Sequence, residues 1–154
     1  TPALTQLLAG DPRLLLYLGH AVYRAQLESS LGDVNRPGLG IGEILLLQRA
    51  PEGVVVLGCT GALSREWQGL DGLGLAPAFV VAGASWALGS TAVLPAELSF
   101  PLSRALLAEG GKPLLARPAA ALRRALAELR AQAKDQAGGL LQREQLATMR
   151  IYTP

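Results

Sequence analysis

Chemically reactive side chains are scarce in this chain. Its 154 residues include one cysteine and one histidine, 5% are aromatic and 17% are charged. A single cysteine cannot form an internal disulfide, which excludes a disulfide-stapled scaffold and suits a reducing compartment. No apolar stretch approaches the roughly 20 residues needed to cross a bilayer, and no basic-then-apolar segment of signal-peptide type opens the chain. No membrane partner is therefore expected, and the cytoplasm is the default location. The net charge is only +2, and the basic residues, nearly all arginine, are spread along the chain. No nucleic-acid footprint is visible in that distribution. Internal repeats are also missing. What is abundant is apolar surface: half of the residues are hydrophobic, enough to bury a sizeable core in a single domain of this length, so disorder is not expected.

Short apolar runs alternate with segments of helical period, the pattern of parallel strands joined by crossover helices. The expected fold class is α/β. Pro2 to Ala9 reads as a short helix ended by Gly10 and Asp11-Pro12, and Arg13 to Gly19 as a strand buried on both faces. Val22 to Gly40, largely polar with turn signals at Gly32-Asp33 and Pro37-Gly38, reads as a long surface loop. Gly42 to Arg49 offers a short helix before a second strand, Val54 to Gly58. A Gly-rich loop from Thr60 to Gly74 leads to a helix over Ala76 to Ala82. A third strand lies within Ala84 to Leu94, and a helix runs from Pro95 to about Glu109 with Gly110-Gly111 as its stop. In the helix that follows, Leu122, Leu126, Leu129 and Ala133 share one face while Arg123, Arg124, Arg130 and Lys134 point elsewhere. Gly138-Gly139 ends that segment, and Met149 to Tyr152 forms a last strand, on an edge. Trp86 is read as core and Trp67 as loop cover.

The two rarest residues occupy matched places. His20 directly follows the strand Leu14-Leu15-Leu16-Tyr17-Leu18-Gly19, and Cys59 directly follows the strand Val54-Val55-Val56-Leu57-Gly58. In a strand-crossover-strand unit the carboxyl ends of neighbouring parallel strands share one rim of the sheet, which would bring His20 and Cys59 together. A thiol is a strong nucleophile only as thiolate, and an adjacent imidazole is a common means of generating it near neutral pH. This is the chemistry of a cysteine peptidase. Alternatives remain open: a lone cysteine is often an inert buried hydrophobe, and Gly38-Leu39-Gly40-Ile41-Gly42-Glu43 superficially suggests a dinucleotide turn, though it follows a segment read as loop.

From Arg13 onward the chain resembles the CHAT domain, a bacterial and eukaryotic relative of the caspases and separases. Tyr17-Leu18-Gly19-His20-Ala21 is similar to the family's strand ending in the catalytic His, and Val55-Val56-Leu57-Gly58-Cys59-Thr60-Gly61 to its strand ending in the catalytic Cys. Gly72 to Ala84 is similar to the helix leading into the next strand, Leu122-Arg123-Arg124-Ala125 to a late amphipathic helix, and Ala147 to Tyr152 to the closing segment. The resemblance implies a caspase-like three-layer fold with a mostly parallel sheet flanked by helices. It also implies a His20-Cys59 dyad cleaving a protein or peptide substrate, without a metal or organic cofactor. His20 would take the proton of Cys59, the thiolate would attack a peptide carbonyl, and the backbone N–H groups of Ala21 and Cys59 would face the oxyanion. The alternative within the family is a catalytically inactive protein-interaction module.

Three departures from the family pattern stand out. Ala21 replaces the Gly that usually follows the His, and its Cβ makes left-handed conformations costly. Cys59-Thr60-Gly61 lacks the residue usually found between the Cys and the Thr-Gly pair, which shortens the loop expected to line the specificity pocket. Glu28, Asp33 and Glu66 are the candidate carboxylates for a basic substrate side chain, and the choice among them is open. Finally, only Thr1 to Pro12 precede the His strand, where the family has further strands and helices, and the chain opens on Thr. The expectation is therefore one CHAT-like domain over residues 1–154, lacking N-terminal elements and forming the C-terminal part of a larger protein.

Overall fold

The structure, a computed structural model, describes residues 2–22, 29–33, 36–58, 74–92, 94–132 and 139–154. In chain order the elements are α1 (Pro2–Ala9), β1 (Leu14–Gly19), β2 (Ala21–Val22), β3 (Ser30–Asp33), β4 (Arg36–Gly40), α2 (Ile41–Leu45) and β5 (Gly53–Gly58). They continue with α3 (Leu75–Val81), β6 (Trp86–Ser90), α4 (Ala96–Leu106), α5 (Lys112–Ala116), α6 (Pro118–Gln132), α7 (Gly139–Leu146) and β7 (Met149–Tyr152).

The expected α/β fold with a mostly parallel sheet flanked by helices is present. Four strands lie in the order β1-β5-β6-β7; β1, β5 and β6 are mutually parallel and β7 closes the edge antiparallel to β6. The inner strands β5 and β6 are buried on both faces. Strand β1, expected to be so as well, is an outer strand in which Leu15 is buried and Leu18 is exposed. Alternation along each strand divides the interior into two cores. Leu15, Val54, Val56 and Ala87 face Leu8 of α1, Ile41 and Ile44 of α2 and Phe79 of α3. Val55, Leu57, Trp86 and Leu88 face Leu98 and Leu102 of α4, Leu114 of α5, Leu122 of α6 and Leu146 of α7. Helices, sheet and helices therefore form three layers. Trp86 is core, as read from the sequence, and it needs a glycine to be so. It pairs in register with Gly53, where an added Cβ would fall on the indole ring.

The described residues between 22 and 40 depart from the sequence reading. Where a long surface loop was expected, β2, β3 and β4 form a second, antiparallel sheet of three strands. Its inward residues, Leu31 and Leu39, are both buried. Turn-forming residues within the strands hide it: Gly38 sits in β4 because a Cβ there would strike the Leu31 carbonyl, so the close approach of β3 and β4 requires a residue without a side chain.

Several boundaries also shift. The helix expected over Gly42 to Arg49 is α2, one turn ending at Leu45, and the third strand is shorter than its expected segment. The helix beginning near Pro95 stops at Leu106, and a 3₁₀ turn over Ala108–Gly111 follows it. Gly110-Gly111 therefore does not stop α4; with φ of 68° and 74° the pair closes that turn, in a left-handed backbone that glycine adopts at little cost. Of the face expected on α6, Leu122 and Leu129 are buried and Leu126 partly so, while Ala133 lies outside the described residues. Helix α7 was not anticipated. Strand β7 ends at Tyr152, where burial pushes the phenol above its usual range against an opposing pull from Arg150; the neutral ring packs with the first core.

Candidate active site

The sheet's carboxyl rim is built by β1 and β5. They pair in step from Leu14 opposite Gly53 to Gly19 opposite Gly58, so both strands leave the sheet at the same level. At their other ends Gly53 N–H donates to the Arg13 carbonyl at 3.0 Å and the Arg13 guanidinium pairs with Glu52 at 2.7 Å, fixing the register where the strands start. His20 follows Gly19 and Cys59 follows Gly58 in the sequence. His20 is described; Cys59 lies outside the described residues, as do Glu28, Glu66 and Trp67.

His20 is exposed. By strand alternation it belongs on the side of the sheet that Leu18 and Leu57 share, facing α4. These residues line one recess of about 230 Å³, whose far wall is Leu94, Ala96 and Phe100. The rim is unusually apolar for surface, with Phe100 59% and Leu18 37% exposed.

The backbone of His20 is held from two directions. Its carbonyl accepts the Tyr17 hydroxyl at 2.6 Å and the Gly32 N–H at 2.7 Å. Tyr17 and Gly19 share a face of β1, and a Cβ on Gly19 would lie 2.8 Å from the Tyr17 oxygen and 2.9 Å from the ring carbon bearing it. A glycine at this position lets the ring lie along the strand as it does; a side chain there would require the ring's outer end to shift. Gly32, with φ of 118°, sits at a register shift between Ser30 and Gly32; such an irregularity bends a strand and re-aims its donors.

Ala21 begins β2 opposite Leu31. Its backbone is not among the described residues with positive φ, so the conformational cost expected of Ala in place of Gly does not arise: extended backbone accepts a Cβ freely. Asp33 ends β3 opposite Arg36. Ion pairs among the described residues join Arg13 to Glu52, Arg49 to Asp11 and Arg124 to Glu109, and none of them involves His20. Among those residues, too, no group of three or more His, Cys, Asp or Glu is placed to hold a metal ion.

No protein-family model matches this chain, and no curated protein sequence matches it either.

The glycine run at residues 38–43 also needs correction. It lies in no loop: Gly38 to Gly40 end β4 and Ile41 to Glu43 open α2, a strand-to-helix order like that of a dinucleotide turn. The local contacts argue against an anion there. The Gly40 N–H, a donor a phosphate would need, is taken by the Glu43 carboxylate at 2.8 Å. A negative charge already occupies that helix start, and these glycines serve packing and capping.

Tyr17 and Gly32, the two supports of His20, were missed by sequence reasoning. An aromatic two residues before a glycine at a strand end was the available signal, since the pair shares a face.

Proposed function

We propose that this chain is a CHAT-like, caspase-related cysteine endopeptidase domain in which His20 and Cys59 form a catalytic dyad. One observation carries the reading: β1 and β5 are adjacent, parallel and end in register at Gly19 and Gly58. Neighbouring strands lie about 4.8 Å apart and consecutive Cα atoms about 3.8 Å, so covalent geometry alone caps the separation of the two Cα atoms at about 12 Å. The dyad requires only that the pleat continue one residue past Gly58. Cys59 would then share the face of Leu57, the side to which His20 belongs.

His20 would act as general base, taking the thiol proton as sulfur attacks the scissile carbonyl. It would then return the proton to the departing amine, and water would release the acyl group from sulfur. The N–H groups of Ala21 and Cys59 are the proposed donors to the oxyanion. The exposed ring of His20 at an open recess is accessible to a peptide, no metal or organic cofactor enters this scheme, and a reducing, cytoplasmic setting would keep the thiol free.

A second reading, a non-catalytic interaction module, draws on the exposed apolar pair Leu18 and Phe100 beside His20, surface of the kind that protein partners cover.

A chromogenic ester separates the two. Incubated with p-nitrophenyl acetate at neutral pH, the chain should release p-nitrophenolate through a Cys59 acetyl thioester, trapped by acid quench and mapped by mass spectrometry, and the Cys59→Ala variant should lose that release. Acetylation no faster than that of a free thiol peptide would overturn the catalytic reading in favour of the interaction module.

A further inference from the structure

The recess beside His20 has a size and a chemistry that select what can enter it. Leu57 and Leu94 are its buried aliphatic lining, and Leu18 and Phe100 are exposed at its edge. The one hydroxyl among its described lining residues, that of Ser99, is directed to the Ala96 carbonyl at 3.4 Å. The volume of about 230 Å³ exceeds the roughly 150 Å³ of an apolar cavity that admits benzene. It falls short of the ~300 Å³ at which sites for whole small ligands begin. One side chain of leucine or phenylalanine size matches that space.

We propose that the recess is a specificity site for a single apolar side chain, carried by the residue flanking the scissile bond of a peptide substrate. His20 lines the same recess, so a carbonyl within reach of the imidazole brings the neighbouring side chain to the opening. That this side chain belongs to a substrate rests on the dyad reading above; the apolar site itself does not.

Charge argues for the same occupant. Among the described residues lining the recess there is no carboxylate, and Asp33 stands opposite Arg36 in the second sheet. A lysine or arginine seated here would lose water and gain no counter-charge. An acidic side chain would meet only His20, whose part as base requires a neutral ring. The start of α4 offers it little, because Glu97 already places a negative charge in that helix's first turn.

Blocked pentapeptides of the form acetyl-Ala-Ala-X-Ala-Ala-amide test the preference. With X as Leu or Phe, kcat/KM should exceed that for X as Ala by about 10- to 200-fold, the range that added methylenes supply in an apolar pocket. X as Lys or Asp should do no better than Ala. Ala96→Phe, at an exposed position in the first turn of α4, should occlude the recess and largely erase the preference, with little change in melting midpoint. Binding is read separately by NMR. The methyl resonances of Leu18, Leu57 and Leu94 should shift on titration with N-acetyl-leucinamide and stay in place with N-acetyl-lysinamide.

Lys or Asp peptides cleaved as fast as the Leu peptide, or Leu and Ala peptides within about twofold of each other, would overturn the proposal and leave the dyad intact. Methyl shifts without cleavage of any peptide would defeat the dyad reading while the apolar site stood. Neither shifts nor cleavage would end both.

Discussion

Acylation of Cys59 in the His20→Ala variant should be slower than in the parent chain by on the order of 10²- to 10⁴-fold at neutral pH, the range that a positioned general base supplies. The direction of the pH dependence follows from what the imidazole replaces. An unassisted thiol ionises near pH 8.5, so below that pH the variant lacks both the nucleophile and the means to form it. As pH rises past this point, hydroxide deprotonates the sulfur without help and the two rate curves converge. Plots of kcat/KM for a small ester from about pH 6 to about pH 10 should therefore be far apart on the acid side and close on the alkaline side. Curves that coincide throughout would mean that His20 exerts no influence on the sulfur, and curves separated by a constant factor would assign the histidine a structural part.

Phe79→Ala should produce the largest change in stability among single truncations. The ring lies in α3, fully buried in the first core together with Ile41, Ile44, Val54 and Val56. Removing it forfeits the transfer energy of the ring and leaves a cavity that strands and helices on three sides cannot collapse to fill. Such changes cost about 3 to 5 kcal/mol, which for a domain of this size lowers the melting midpoint by roughly 6 to 20 °C. Phe100→Ala is the control. Its ring is 59% exposed, so the midpoint should move by no more than about half a kcal/mol allows. Thermal melts of the two variants side by side would show whether the layer of α1, α2 and α3 is packed as described. Equal midpoints would contradict the assignment of Phe79 to the core.

The parts of the fold that sequence made legible are those where one physical signal dominated. Strands β1, β5 and β6 announced themselves as apolar runs, although β1, unlike the inner β5 and β6, is an outer strand with Leu18 exposed, and β7 was recoverable as an edge. The small antiparallel sheet was not, because close approach of β3 to β4 demands glycine at position 38 and a φ of 118° favours it at position 32, and glycine also marks turns. Only Leu31 and Leu39 carried the burial signal, each isolated among residues that usually mean loop. The rim was readable in part: the ends of β1 at Gly19 and of β5 at Gly58, level with each other, follow from the apolar runs alone. That His20 is anchored through its own carbonyl was not readable, since the anchor depends on a ring passing over Gly19 and on a donor from a sheet that the sequence disguised. The expected cost of Ala21 failed for a related reason, as the residue enters a strand instead of a tight turn.

The account depends most on the distance between two atoms. In a crystal structure of the chain grown near neutral pH, the Cys59 sulfur and the nearer ring nitrogen of His20 should lie within about 4 Å, or be bridged by a single water. A separation beyond about 10 Å, with the intervening backbone ordered and no hinge to close the gap, would contradict the catalytic dyad.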